Sequence, residues 1–406
     1  MIELSFGVLD RADTNFVVIA ILLGALLVPL RVAHHAQLLP ASVTEELKGL
    51  AILSIVLAHI SYMLVADKQY LFPLSIAAGV GVDVFLFLSG FGLTAGLMKE
   101  RIAPIEFYRR RLIKVFIPLW LVLLLLFAAD ALLLHRYYSL SYMLRSMLGW
   151  FPDASGTDDV NSPFWYITWL LMFYLLLPVL FSERRPWLTA ILLAVIANAV
   201  AIADPFHLQV TWLHRLHTCA FSLGMIAAWA IHEPEQGCNR VALKLKQFRN
   251  DAAPSLRYPL LVAMLLLAGY CAAHNTAASW PVLSSALHAM NVDENVFINQ
   301  ATSLITMSAL LLVFLLKRVE FSMLQLFGVY SFEIYLIHWP LMSRYDVFFH
   351  DTPAWLAPLL WLGALIALGW LLQKETAPLG RLLARRTAMY ERRPAISGNH
   401  ESPHRY

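Results

Sequence analysis

Six ionisable side chains stand inside stretches that are otherwise apolar: His59, Asp83, Asp130, Arg215, Glu333 and His338. A charge at the centre of a bilayer costs about 2.5–3.5 kcal/mol on insertion scales, so such residues face a bundle interior or a wet cavity. The chemistry open to them is proton transfer and anion binding. His59 lies in "LKGLAILSIVLAHI", 11 positions after Lys48. On a helix that is about 20° past three full turns, so the two project from one face, roughly 17 Å apart along the axis. Lys48 can snorkel to the membrane edge, whereas His59 stays deep, where a neutral imidazole is well tuned to take a proton near physiological pH. A histidine hydrogen-bonded between two helices is the plain alternative.

Asp83 sits in "GVGVDVFLFLSGFGLT", Gly79 to Thr94. Counted from Leu71 it is about 18 Å into its helix, near the midplane. No i±4 partner is evident, so its partner must come from another helix, and His59 matches it in depth. Gly79, Asp83, Gly90 and Thr94 fall near one face, where small residues let helices approach closely. "KERIAPIEFYRRRLIK" follows, with six basic residues between Lys99 and Lys114. Arginine forks suit phosphate, which makes Arg110, Arg111 and Lys114 candidates for a phosphorylated ligand. An ordinary topogenic loop or contact with anionic lipid explains the cluster equally well. In "YSFEIYLIHWP", Ser331, Tyr335 and His338 form one polar stripe at i, i+4 and i+7, and Glu333 lies on another face; an interfacial position would explain His338 as well. Trp165, Tyr166 and Trp169 open an apolar run as an aromatic belt would. Arg215, in "HRLHTCAFSLG", falls just inside the outer boundary of its span.

The elements that must position these residues are membrane helices. The chain has 406 residues, 59% hydrophobic and 14% charged, against about 25% charged in a typical soluble domain. A net charge of +3 gives no reason to expect nucleic acid. Cys219, Cys238 and Cys271 suit neither a disulfide framework nor a metal site. Glu3, Asp10 and Asp13 replace the basic start of a signal peptide. Spans need about 20 apolar residues, and eleven are expected, near 15–33, 47–66, 71–98, 112–134, 164–181, 187–203, 212–231, 258–274, 297–316, 322–343 and 353–373. Alternate connections, beginning with 31–48, hold 24 of the 30 Lys and Arg residues. By the positive-inside rule the N-terminus is then outside and the C-terminus cytoplasmic. The expected fold is an all-α polytopic transmembrane helix bundle. It divides into residues 1–46 with an extra N-terminal span, a membrane domain at 47–373, and a basic, partly disordered cytoplasmic tail at 374–406.

Taken in order, several of these pieces resemble the acyltransferase 3 family of integral membrane acyltransferases. The matching residues are Lys48 with His59, "GVDVFLFLSGF" at Gly81–Phe91, "FYRRRLIKVFIP" at Phe107–Pro118, "FWYI" at Phe164–Ile167, Arg215 with Phe221 and Gly224, and "SFEIYLIHWP" at Ser331–Pro340. The ordered set covers about three quarters of the chain. Lys48 and Lys114 stand where arginine is common, keeping charge but losing the bidentate fork. "SGFGLT" also departs from the more frequent ending of its block.

The resemblance implies a ten-helix core, with the first span an addition, in a bacterial inner membrane. It implies a cytoplasmic acyl-CoA donor, commonly acetyl-CoA, as co-substrate rather than a tightly bound cofactor. The acceptor it implies is a hydroxyl of a cell-surface glycan or lipid-linked sugar. On that basis His59 would act as general base, or as an acyl-carrying nucleophile, with Asp83 orienting it. Lys48, Arg110, Arg111 and Lys114 would hold the coenzyme A phosphates, and Ser89 and Gly90 would line the path of its arm. Trp165, Tyr166, Arg215, Glu333, Tyr335 and His338 are the candidates on the substrate side. Partners would be membrane lipids and the acceptor, with homo-oligomerisation left open. A transporter or flippase of anionic or lipid-linked substrates is the competing class, because buried ionisable residues and glycine runs occur there too.

Overall fold

The computed structural model describes residues 11–33, 35, 37–61, 70–72, 74–100, 102–153, 159–208, 210–232, 240–345, 348–349 and 352–391. The chain opens with α1 (Arg11–Leu27), β1 (Leu30–Val32), α2 (Ala41–His59), α3 (Ala78–Lys99) and α4 (Pro104–Leu133). It continues through α5 (Leu140–Met147), α6 (Trp165–Leu180), α7 (Pro186–Ala203), α8 (Thr211–Leu216), α9 (Ala220–His232), α10 (Arg240–Asp251) and α11 (Pro254–Ala273). The last part is α12 (Pro281–Ala289), α13 (Glu294–Leu316), β2 (Val319–Phe321), α14 (Ser322–Val329), α15 (Ser331–Ser343) and α16 (Ala357–Glu391). It is an all-α helix bundle, as the hydropathy pattern requires. Among the described residues, seven helices are long and apolar enough to cross a membrane: α3, α4, α6 with its preceding turn, α7, α11, α13 and α16.

The other four expected spans are shorter, interrupted or charged. The span expected at 15–33 stops at Leu27. Beyond it Pro29 offers no backbone donor, and β1 pairs antiparallel with β2, Arg31 opposite Glu320. The span expected at 47–66 begins earlier, at Ala41, and takes Glu45, Glu46 and Lys48 into its first turns; residues 62–66 lie outside the described ones. The span at 212–231 breaks between Leu216 and Ala220 into α8 and α9, and the span at 322–343 breaks at Tyr330 into α14 and α15. α16 runs past residue 373 to Glu391, so the start of the expected tail is helical. Residues 392–406 and the first ten lie outside the described set.

Two glycine crossings set the interior. A methyl group at Gly90 of α3 would overlap the Phe221 carbonyl, and one at Gly224 of α9 would overlap the Phe87 carbonyl. α2 and α14 cross in the same reciprocal way, Gly49 on Leu324 and Gly328 on Glu45. Only hydrogen at these positions lets the backbones touch. α2 therefore lies deep in the bundle, held against α3 and α14. Its N-terminal end is tied to the paired strands β1 and β2. Lys317 is hydrogen-bonded to the fully buried Glu46, and Phe321 N donates to Glu46 Oε1 at 2.5 Å. Burial pulls the Lys317 ammonium below the usual lysine range, while Glu46 opposes that shift.

Candidate active site

α2 carries Lys48 and His59 to two different cavities, each open to one end of the same face. The first, about 660 Å³, is lined by Lys48, Ser89, Arg111, Lys114, Tyr174 and Glu333, among others. The second, about 320 Å³, is lined by His59, Trp165, His217, Asn275, Asn299 and Ser303, among others. Tyr166 and Tyr335 line both. Their rings meet edge to face, centroids 5.6 Å apart at 72°, so the two cavities lie back to back across a tyrosine wall. The alignment of Lys48 with His59 thus has a structural counterpart: one helix face presents a cation to the larger cavity and an imidazole to the smaller.

His59 is held by His338, not by Asp83. His59 Nδ1 lies 2.9 Å from His338 Nε2, and the rings stack with centroids 5.1 Å apart at 5°. The protons follow from the partners. His338 Nδ1 faces the carbonyls of Tyr335 at 2.9 Å and Ile334 at 3.2 Å. Carbonyl oxygens only accept, so in the neutral ring Nδ1 carries the proton and Nε2 is a lone pair. His59 Nδ1–H must then donate to it, which leaves His59 Nε2 as the basic nitrogen. A second-ring partner that fixes the tautomer of a functional histidine is what proton-transfer sites require. Trp339 packs edge-on to His59, centroids 4.9 Å apart.

Asp83 is fully buried, and its partners come from two other elements. His217 Nδ1 lies 2.8 Å from Oδ1 and Ser303 Oγ donates to Oδ2 at 2.5 Å. The expectation that Asp83 orients His59 is therefore corrected. The count from Leu71 does not hold, because α3 begins at Ala78, and the side chain points away from α2. Gly81 is the α3 residue that packs on Ala51 and Ile55 of α2; two positions later Asp83 points about 200° round the helix. It shares the face of Gly90, which meets α9. His217 and Ser303 were not singled out in the sequence, although His217 sits two residues from Arg215 in the quoted block. The signal was its place at the α8–α9 break, which hydropathy alone does not show. Trp165 stacks on the His217 ring, centroids 5.7 Å apart, and Trp169 Nε1 donates to the His217 carbonyl at 3.2 Å.

Other expected residues divide between the cavities or leave them. Lys48, Arg111, Lys114 and Ser89 line the larger cavity together, with Lys48 also 2.9 Å from Glu45. Gly90 does not: it is spent on the contact with α9. Arg110, half exposed, pairs with Glu106 one turn away and is not in the cavity lining. Glu333 was placed on the substrate side with His338, but lines the larger cavity with the cations, because the α14–α15 break at Tyr330 opens that cavity around the start of α15. Arg215 lines neither cavity; its Nε donates to the Ala201 carbonyl at 3.0 Å and so braces α7. Trp165 lines the smaller cavity, so the aromatic run is more than a belt. Asp130 is a clamp away from both cavities, bonded to Arg344, to Tyr138 at 2.5 Å and to Tyr345 at 2.6 Å.

A family model described as an acyltransferase domain, Acyl_transf_3, matches residues 46–373. Neither a curated protein nor a solved structure matches the chain. The match begins at Glu46, two residues before Lys48, ends in α16, and takes in the smaller cavity, all of the larger one's lining but Glu45, and the tyrosine wall between them. It is on this footing that the chain belongs to the acyltransferase 3 family and is a membrane acyltransferase.

Proposed function

We propose that the protein moves an acetyl group from cytoplasmic acetyl-CoA to a hydroxyl of a cell-surface glycan or lipid-linked sugar, in a bacterial inner membrane. The observation that carries this reading is the pair of cavities meeting at Tyr166 and Tyr335, three cations in one and an imidazole in the other. The charge rule puts Lys48 at the cytoplasmic side, where the anionic head of coenzyme A arrives. Lys48, Arg111 and Lys114 offset its phosphates, and the pantetheine arm runs past Ser89 toward the tyrosines. The acceptor enters the smaller cavity from the other side. Aromatic faces from Trp165, Tyr166 and Trp339, with Asn275 and Asn299, suit a polyhydroxylated ring.

In the transfer step the acceptor oxygen bonds to the thioester carbonyl carbon while His59 Nε2 takes the hydroxyl proton. The carbon–sulfur bond then breaks, and the coenzyme A thiolate leaves and takes up that proton. His338 keeps the productive nitrogen of His59 unprotonated beforehand. A sugar hydroxyl is a poor nucleophile without such a base, and placing the base where donor and acceptor meet removes the need for either to cross the bilayer.

The cation assignments separate neighbours on one helix. Arg111→Gln and Lys114→Gln are expected to raise the KM for acetyl-CoA about tenfold each, with kcat little changed, as for lost ground-state binding. Arg110→Gln, outside the cavity lining, is expected to change it less than about twofold. Equal effects at Arg110 and Arg111 would return the cluster to a role in topology or lipid contact. The reading as a whole is tested by mass spectrometry of surface glycans and lipids from a deletion strain and its parent. Loss of one acetyl-bearing species, restored by the wild-type gene, supports it; identical profiles contradict it.

A further inference from the structure

We infer that Tyr166 and Tyr335 set the length of the acyl group, admitting chains of about two or three carbons and excluding long ones; this rests on the acyl-CoA reading above. The two rings are in edge-to-face contact and are the seam through which the thioester carbonyl must meet the acceptor. They are buried, at 7% and 6% exposure. Both are also tethered at the hydroxyl end. Tyr335 donates to the Pro163 carbonyl at 2.5 Å, and the Tyr166 phenol is hydrogen-bonded to Ser89, which also engages Tyr174. Aromatic neighbours close the remaining sides, Phe164 and Phe332 on Tyr335 and Trp165 on Tyr166.

A tethered, packed ring does not swing aside at low cost, because the hydrogen bond it breaks leaves a buried group unpaired. An acetyl methyl needs only a small opening at the ring edges. A chain of eight carbons must either displace a ring or run on into the smaller cavity. That cavity, about 320 Å³, is the space the acceptor needs. The wall therefore selects by size at the reacting carbon, leaving coenzyme A recognition to the cations on the other side.

The test is equilibrium binding of CoA, acetyl-CoA and octanoyl-CoA to the full chain in detergent, for the parent, Tyr166→Ala and Tyr335→Leu. CoA carries no acyl group, so it reports the integrity of the larger cavity in each variant. The parent is expected to bind octanoyl-CoA about tenfold or more weakly than acetyl-CoA, the scale of one or two misfit methylenes in a shaped pocket. Either variant that still binds CoA is expected to shrink that ratio about fivefold or more. A parent that binds both acyl-CoA species alike overturns the inference, as does an unchanged ratio in the variants. Loss of CoA binding in both variants also overturns it, because the tyrosines would then belong to the coenzyme A site itself. A parent that binds no CoA at all overturns the donor reading, and this inference falls with it; binding of CoA without discrimination spares that reading and sinks only the inference.

Discussion

His59→Ala is expected to lower acyl transfer about 10²–10⁴-fold, the usual contribution of a positioned base. The imidazole lies at the C-terminal end of α2, at the wall of the smaller cavity, with its tautomer dictated by His338. Removing it takes away the proton acceptor while leaving the glycine crossings that hold α2 to α14 untouched. Expression, detergent extraction and acetyl-CoA binding should therefore remain near parental. His338→Phe is expected to give a smaller loss. A ring of similar size still packs on His59, but nothing then accepts from Nδ1, and the imidazole is free to hold its proton on the wrong nitrogen. Steady-state transfer rates for the purified variants check both. Near-parental transfer by His59→Ala would make this histidine a packing residue.

Asp83 carries the second large effect, and it falls on stability. Asp83→Ala leaves the His217 Nδ1–H and the Ser303 hydroxyl without the carboxylate that accepts from both. Each buried polar group left unsatisfied costs about 1–3 kcal/mol. The carboxylate also joins α3, the α8–α9 junction and α13, so the loss should appear as a lower thermal midpoint in detergent. Partner identity can be read from a double-mutant cycle. Asp83→Ala with His217→Ala should be coupled by about 0.5–3 kcal/mol, whereas Asp83→Ala with His59→Ala should add within about 0.3–0.5 kcal/mol, because His59 is bonded to His338 and Asp83 to His217 and Ser303. Coupling of Asp83 to His59 instead would restore the pairing suggested by depth alone.

Spacing along a helix was legible in the sequence, and direction across the bundle was not. The 11-residue spacing placed Lys48 and His59 on one face, and α2 does carry both to the walls of cavities. A count from Leu71 put Asp83 level with His59, but α3 begins only at Ala78, and a helix offers every azimuth at a given depth. Gly81 faces α2 and Asp83 faces away, and that choice follows from the Gly90–Gly224 crossing with α9, a long-range contact. The stripe Ser331, Tyr335, His338 was readable from period alone and runs from the larger cavity to His59. Glu333 could not be placed in that way, because the break at Tyr330 exposes two faces of α15 to one cavity. Breaks also hid His217: residues 212–231 were read as one span, polar residues His214, Arg215 and His217 included, although the chain leaves the helix at 217–219. Hydropathy reports burial in lipid, and interruptions that are satisfied by neighbouring helices leave little trace in it.

The most direct measurement is transfer across a sealed membrane. Inverted inner-membrane vesicles expose the cytoplasmic face, so on the proposed orientation radiolabelled acetyl-CoA added outside would reach the cavity lined by Lys48, Arg111 and Lys114 without crossing the bilayer. The expected result is label in an alkali-labile ester on a glycan or lipid-linked sugar, with the ester inside the vesicle, protected from added esterase until detergent is present. His59→Ala vesicles should show none. Label that appears equally in the His59→Ala vesicles, or that is accessible to esterase in intact ones, would contradict transfer between two cavities meeting at Tyr166 and Tyr335.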